Sequence, residues 1–254
     1  MVIKDFIKTD SNREIAFVRS FYDKNVNKYS GIVFLPGFRS DMEGTKAKAL
    51  EKFCQKNNKD FLKFDYSGHG ASSGEFESLC ISDWLDDSLN VINALTTGPQ
   101  ILVGSSMGGW ISLLLALKRK KRVSGLVLIA PAVDMTEILM WNNFSDNEKN
   151  MISKKGYLEI FSDEYPPYKI TKNLIDDGRK YLLMNQQISL DCPVNIIHGI
   201  KDEAVPWDLS IELSKKISSN SITQSFIKDG DHGLSRPTDL EYIFFSIEQI
   251  IKKI

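Results

Sequence analysis

A serine set among glycines marks where this chain can do chemistry. The stretch GPQILVGSSMGGW (98–110) contains Gly104-Ser105-Ser106-Met107-Gly108, which fits G-x-S-x-G in one register only, with Ser106 at its centre. An apolar run precedes the pentad and an apolar, helix-spaced run follows it, so Ser106 is expected on a sharp strand-to-helix turn. Such a turn strains the backbone at the serine and brings strand and helix together. Side chains two positions to either side would collide, and Gly104 and Gly108 remove them. Ser105 then points toward the sheet. A hydroxyl is a weak nucleophile until a base takes its proton, so an imidazole is required. The chain has three histidines. His69 lies in a GHG turn after an early strand, and His198 ends a strand and faces the loop that follows. His232, in KDGDHG (228–233), falls between the last strand and the last helix, on the same sheet edge as Ser106, and is the expected base. The base needs a carboxylate to fix its tautomer. The chain order Ser–Asp–His directs that search to HGIKDEAVPW (198–207). Asp202 is the expected acid, with Glu203 and Asp134 as rivals. Asp208 is read as stabilising the first turn of a helix begun at Pro206. Two N–H donors must meet the oxyanion. The backbone of Met107 supplies one and that of Phe38, in the turn Pro36-Gly37-Phe38, the other.

Those loops need a frame. Ile32–Leu35, Phe61–Asp65, Gln100–Val103, Val123–Ile129, Val194–Ile197 and Ser221–Ile227 are short apolar runs that read as strands. The N-terminal residues, Glu14–Val18 among them, read as strands of a hairpin. Helical spacing runs through Thr45–Lys56, 79–95, Met107–Lys118, Pro206–Ile217 and Asp239–Lys253. This alternation predicts an α/β fold: a mostly parallel central sheet flanked by helices on both faces. In such sheets the ligand lies at the carboxyl ends of the strands. Residues 131–191 break the rhythm. Trp141, Phe144, Tyr157, Phe161, Tyr165, Tyr168 and Tyr181 stand alone there, and Pro166-Pro167 interrupts any sheet unit. The segment is read as a small, mostly helical cap inserted over the strand ends. The chain then divides into a core, 1–130 and 192–254, and a cap, 131–191. Met135, Met140, Trp141 and Phe144 suit two roles equally, packing the cap onto the core or covering an acyl chain.

At 254 residues the chain is long enough for a sizeable core, and 42% hydrophobic with 26% charged residues is ordinary for a globular protein. A net charge of −1 argues against a nucleic-acid partner or an anionic membrane surface. Cys54, Cys80 and Cys192 are scattered, with no C-x-x-C pair and no even count, which points to free thiols in a reducing compartment. There is no run of about 18 apolar residues and no apolar signal segment, so no stable membrane insertion is expected. Frequent lysine, isoleucine and asparagine add the expectation of a bacterial, cytoplasmic protein. The histidines are isolated, without metal-ligand spacing, and GHGASSG lacks the GK[ST] of a phosphate loop. Neither a metal nor a cofactor is expected.

Across nearly its whole length the chain resembles the α/β-hydrolase superfamily. More narrowly it is similar to an acyl-protein thioesterase subfamily, whose vertebrate member is a mitochondrial depalmitoylase that also cleaves acyl glucuronides. The stretches FLPGFRSDMEGTKA (34–47), FDYSGHGASSG (64–74), GPQILVGSSMGGW (98–110) and HGIKDEAVPW (198–207) carry the resemblance. GPQILVGSSMGGW and VPW are the most specific of them. The resemblance implies an α/β-hydrolase fold and the same Ser106, Asp202 and His232 reached from the residues. Two departures from the subfamily are expected: the absence of a transit peptide and a cap without a match. The implied activity is a serine hydrolase of thioesters or carboxylic esters. Its partner would be a small-molecule acyl ester or an S-acylated substrate. A non-catalytic binding protein on the same scaffold remains an alternative, as do a peptidase and a C–C hydrolase using the same three groups.

Overall fold

The structure is a computed structural model that describes residues 1–22, 31–161 and 166–254; Tyr165, one of the cap aromatics, lies outside them. The apolar runs form the strands of one sheet. In chain order these are β1 (Val2–Lys8), β2 (Glu14–Ser20), β3 (Gly31–Leu35), β4 (Phe61–Phe64), β5 (Gln100–Ser105) and β6 (Val123–Ile129). After an excursion the chain adds β9 (Val194–Gly199) and β10 (Ile222–Ile227), and the spatial order is β1-β2-β4-β3-β5-β6-β9-β10. β1, β2 and β4 pair antiparallel, and every pair from β4 through β10 is parallel.

Successive side chains of a strand point to opposite faces, so each central strand feeds two cores. Val33 and Leu35 of β3 and Leu102 of β5 join the larger one, with Trp84 and Leu85 of α2 (Ile81–Leu95) and Trp110 and Leu113 of α3 (Met107–Lys118). Leu213 of α6 (Asp208–Lys216) lies on the same side. Ile32, Phe34, Ile101 and Val103 face the other way. They meet Ala47 and Leu50 of α1 (Thr45–Lys56) and Ile243, Ile247 and Ile250 of α7 (Pro237–Ile251). Burial on both faces explains why these strands read as continuous apolar runs. α3 is apolar on every side because every side is covered; Met107 through Ala116 are buried.

The strand order reverses beside β3. From β3 the chain passes through α1 to β4 on one flank, then through α2 to β5 on the other. The loops after β3 and β5 diverge at that point and leave a crevice at their carboxyl ends.

Between β6 and β9 the chain leaves the sheet. It makes one π-helical turn at Thr136–Met140, then α4 (Asp146–Lys155) and α5 (Lys172–Gly178). It also forms a two-stranded antiparallel sheet, β7 (Tyr157–Ile160) with β8 (Tyr168–Thr171), where the sequence predicts a mostly helical segment. Only Leu158 and Ile170 of this pair are buried, so the alternation is too short to stand out in sequence. Two helix starts differ from expectation. α7 begins at Pro237, where proline's fixed φ and missing N–H suit the first helical position, and Asp239 caps it by accepting from Arg236 N–H at 3.1 Å. α6 begins at Asp208, two residues beyond Pro206.

Candidate active site

Ser106 stands between the end of β5 and the start of α3 with φ 53° and ψ −119°. That left-handed φ is uncommon for a residue with a side chain and is held by its surroundings. Ser106 N–H donates to Ile129 O at 2.9 Å, and its carbonyl accepts from Gly109 N–H at 2.9 Å and Ala132 N–H at 3.1 Å. The glycines do what their spacing implied. A Cβ on Gly104 would lie 2.3 Å from Gly108 O, and one on Gly108 would lie 2.1 Å from Leu35 O. Gly37 lies against the serine itself, since a Cβ there would sit 3.3 Å from Ser106 Cβ. The loop after β3 is thereby laid against the hydroxyl. Ser105, the last residue of β5, is buried, in keeping with a side chain directed toward the sheet.

His232 follows β10, 126 residues from Ser106 in sequence. Its Nε2 lies 3.1 Å from Ser106 Oγ, and its Nδ1 lies 2.7 Å from Asp202 Oδ2. A carboxylate only accepts, so Nδ1 carries the hydrogen and Nε2 is left to accept the serine proton. The loop bearing His232 is tied down from two sides: Lys46 Nζ on α1 donates to Gly233 O, and Lys201 N–H donates to Gly230 O at 2.8 Å.

Asp202 lies in the loop after β9, its side chain fully buried. Oδ2 takes hydrogen bonds from His232 and from His198 Nε2 at 3.0 Å; Oδ1 takes Ala204 N–H at 2.9 Å and Val205 N–H at 2.8 Å. Burial alone pushes this carboxyl up. Hydrogen bonds from His198, His232 and the Val205 amide outweigh burial and hold it far below the usual carboxylate range. Asp202 thus stays ionised opposite the imidazole.

The sequence separates the three histidines, and the structure brings two of them to one carboxylate. His198 is fully buried, with Nε2 also 3.0 Å from Val205 O and Nδ1 2.7 Å from Ser210 Oγ. Its contact with the following loop was expected; its direct bond to Asp202 was not. The i,i+4 spacing across the end of a strand was the available signal. His69 lies in its turn, 4% exposed, bonded to Ser67 O of its own loop and to the Arg39 N–H of the loop after β3. Lys46 carries no motif and only its tertiary contact reveals it.

The rival acids are elsewhere. Asp134 turns back into the inserted segment, where its carboxylate accepts from Leu183 N–H at 2.8 Å and Met184 N–H at 2.8 Å. Glu203 is exposed, and Asp208 opens α6. Met107 is the first residue of α3, so its N–H has no acceptor within the helix. Phe38 follows Gly37 beside Ser106. Its ring is set among Phe76, Trp84 and Tyr168 at centroid distances of 5.0, 5.8 and 6.2 Å. Among the described residues no group of three or more His, Cys, Asp or Glu side chains is arranged to hold a metal ion.

A hydroxyl, an imidazole and a buried carboxylate are thus joined in one hydrogen-bonded chain at the carboxyl edge of the sheet. Arrangements of this kind perform acyl transfer.

Comparison with known proteins points the same way. The family model for serine aminopeptidase, S33, matches residues 30–174. The mitochondrial palmitoyl-protein thioesterase ABHD10 of Bos taurus is 35% identical over 235 residues, which is 92% of this chain and 76% of the bovine protein. A crystal structure from Agrobacterium vitis S4 superposes with a TM-score of 0.93 at 36% identity, covering 99% of each chain. The alpha/beta hydrolase domain-containing protein 10 from mouse does so with a TM-score of 0.89 at 32% identity, again over 99% of each chain.

Proposed function

We propose that this chain, which belongs to the serine aminopeptidase, S33 family of hydrolases and has the α/β-hydrolase fold, cleaves thioesters or carboxylic esters through an acyl-enzyme on Ser106. Ser106 Oγ attacks the acyl carbonyl as His232 Nε2 takes its proton, and the carbonyl oxygen gathers negative charge between the Phe38 and Met107 N–H groups. Collapse of the tetrahedral adduct expels a thiol or alcohol, protonated by His232. Water then attacks the acyl-serine with His232 again as base, releasing the carboxylic acid. Asp202 holds the ring in the productive tautomer throughout. The observation that carries this reading is the continuous chain Ser106 Oγ, His232 Nε2, His232 Nδ1, Asp202 Oδ2, with separations of 3.1 and 2.7 Å.

The substrate is an acyl ester or S-acylated molecule, and residues 131–191 act as the cap that shapes its acyl site. Met135 is buried in the main core, and Met140, Trp141 and Phe144 pack partly buried against it. The Trp141 ring also carries the Arg179 guanidinium at 4.7 Å and the Lys149 ammonium at 5.7 Å. Met135 is thus a packing residue, and Met140 and Phe144 are the better candidates to meet an acyl chain. The reading includes a reducing, cytoplasmic setting, in keeping with three free thiols, two of them buried. Among the described residues no helix is long and apolar enough to cross a membrane.

The test is a hydrolysis profile over acetyl to palmitoyl thioesters and matched nitrophenyl esters, with fluorophosphonate labelling read by peptide mapping. The label is expected on Ser106, and Ser106→Ala is expected to abolish labelling and lower kcat by about 10⁴-fold or more. Labelling of another serine, or wild-type turnover by Ser106→Ala, would refute the assignment. An aminopeptidase reading predicts turnover of aminoacyl arylamides, which this account expects to be inert.

A further inference from the structure

The GHG turn takes no part in the chemistry above, yet it is bonded directly to the loop that supplies an oxyanion donor. His69 Nδ1 lies 3.0 Å from Ser67 O, and its Nε2 lies 3.1 Å from the backbone nitrogen of Arg39. A carbonyl accepts, so Nδ1 bears the hydrogen; an amide N–H donates, so Nε2 is bare. Both bonds are made only by one neutral tautomer. Burial pushes the imidazole pKa down and the Arg39 cation adds to that, against the pull of the Ser67 carbonyl. The ring has little room to turn, because Tyr66, Phe76 and Trp84 stand edge-on around it at 5.7, 5.2 and 5.4 Å.

Its far end is equally fixed. Ser67 O also accepts from Trp84 Nε1 at 3.2 Å, and Ser67 N–H donates to Asp87 Oδ2 at 2.9 Å. Asp87 Oδ1 in turn holds Arg13 Nη2 at 2.9 Å. The near end is a residue that needs holding. Arg39 directly follows Phe38 and has φ 58°, a left-handed conformation costly for a residue with a side chain. Asp65 clasps the same loop further on, accepting from Met42 N–H at 2.6 Å and, across to the GHG turn, from Ala71 N–H at 2.8 Å.

We propose that His69 is a positioning residue for the reaction: by accepting the Arg39 N–H it locks the loop after β3 in the strained turn that aims Phe38 N–H at the acyl oxyanion. This rests on the Ser106 reading above. Oxyanion donors act because they are fixed before charge develops, so a donor that wanders loses effect without losing its hydrogen. The structure gives Phe38 two restraints from one aromatic cluster: its ring packs on Phe76 and Trp84, and its neighbour's amide is bonded to the imidazole those rings enclose.

The experiment compares wild type, His69→Phe, His69→Gln and His69→Asn. Phenylalanine keeps the ring and removes both bonds. Glutamine is long enough for its amide oxygen to accept from Arg39 N–H. Asparagine keeps the Ser67 contact and falls short of Arg39. The readouts are kcat and KM on a short nitrophenyl ester, the affinity of a boronic acid that forms a tetrahedral adduct on the nucleophile, and the thermal midpoint. His69→Phe and His69→Asn are expected to lose kcat and boronate affinity together, by about 10- to 100-fold, with little change in KM, while His69→Gln recovers most of both. If His69→Phe does not fold, the asparagine–glutamine pair carries the comparison. Equal kcat in those two variants, or a loss of thermal midpoint with kcat and boronate affinity unchanged, would reduce His69 to a packing residue and overturn the inference. That failure is distinct from failure of the underlying reading, in which fluorophosphonate does not label Ser106 of the wild type and both fall together.

Discussion

Asp202 collects four hydrogen bonds on two oxygens, and nothing of its side chain meets solvent. Its carboxyl titrates below the ordinary range when folded and returns to that range when unfolded. The stabilisation this confers is complete above the unfolded value and is lost as pH falls through the folded one. Asp202→Asn removes the charge and offers the imidazole an amide that favours the wrong tautomer, so kcat at neutral pH is expected to fall by about 10⁴-fold. Urea titrations of the two proteins should differ most at neutral pH and draw together only as pH falls below the ordinary carboxylate range toward the folded value. A gap independent of pH would contradict the role assigned to its hydrogen bonds. The meeting of Ser106, Asp202 and His232 was legible along the chain because acyl transfer asks for each type and each stands in a loop of the right order. His69 and Lys46 were not legible in their working roles. Each acts through a backbone group on a distant loop, and a backbone group leaves no trace in residue type.

Among the elements, the fit of α3 against β3 sets the site's precision. A methyl on Gly108 would press on Leu35 O at 2.1 Å, and backbone cannot rotate away as a side chain can. Gly108→Ala is expected to destabilise the protein by about 1–3 kcal/mol. Turnover should fall further than stability alone explains, because the same displacement shifts Met107 N–H and the Gly37–Phe38 turn. Parallel thermal melts and kcat measurements check this; an active, unshifted variant would show that the helix can retreat without consequence. The parallel strands and their helices were readable because burial on both faces writes continuous apolar runs separated by amphipathic ones. The pair β7–β8 escaped notice because two buried residues make no pattern, and α7 started early because Pro237 is a helix opener that also resembles a loop residue.

Across the whole molecule, the inserted segment is attached by identifiable bonds. Asp177 on α5 is 3% exposed and accepts from Ser82 N–H at 2.7 Å and Ser82 Oγ at 2.6 Å, at the start of α2, while Lys180 Nζ reaches it at 2.8 Å. Asp134 ties the segment's first residues to Leu183 and Met184 near its end. Asp177→Ala should leave Ser106 open to fluorophosphonate yet speed limited proteolysis within 131–191 and alter the preference among acyl-chain lengths. Unchanged proteolysis and unchanged preference would show that this anchor does not hold the segment 131–191. The sheet order carries one more consequence. Among the described residues β10, which leads into His232, is the outermost strand and has a partner on one side only, whereas β5, which leads into Ser106, is flanked on both. The alcohol is therefore built into the keel of the molecule and the imidazole into its gunwale. Peeling back a single outer plank would unseat the proton acceptor and leave an intact, strained and silent serine behind.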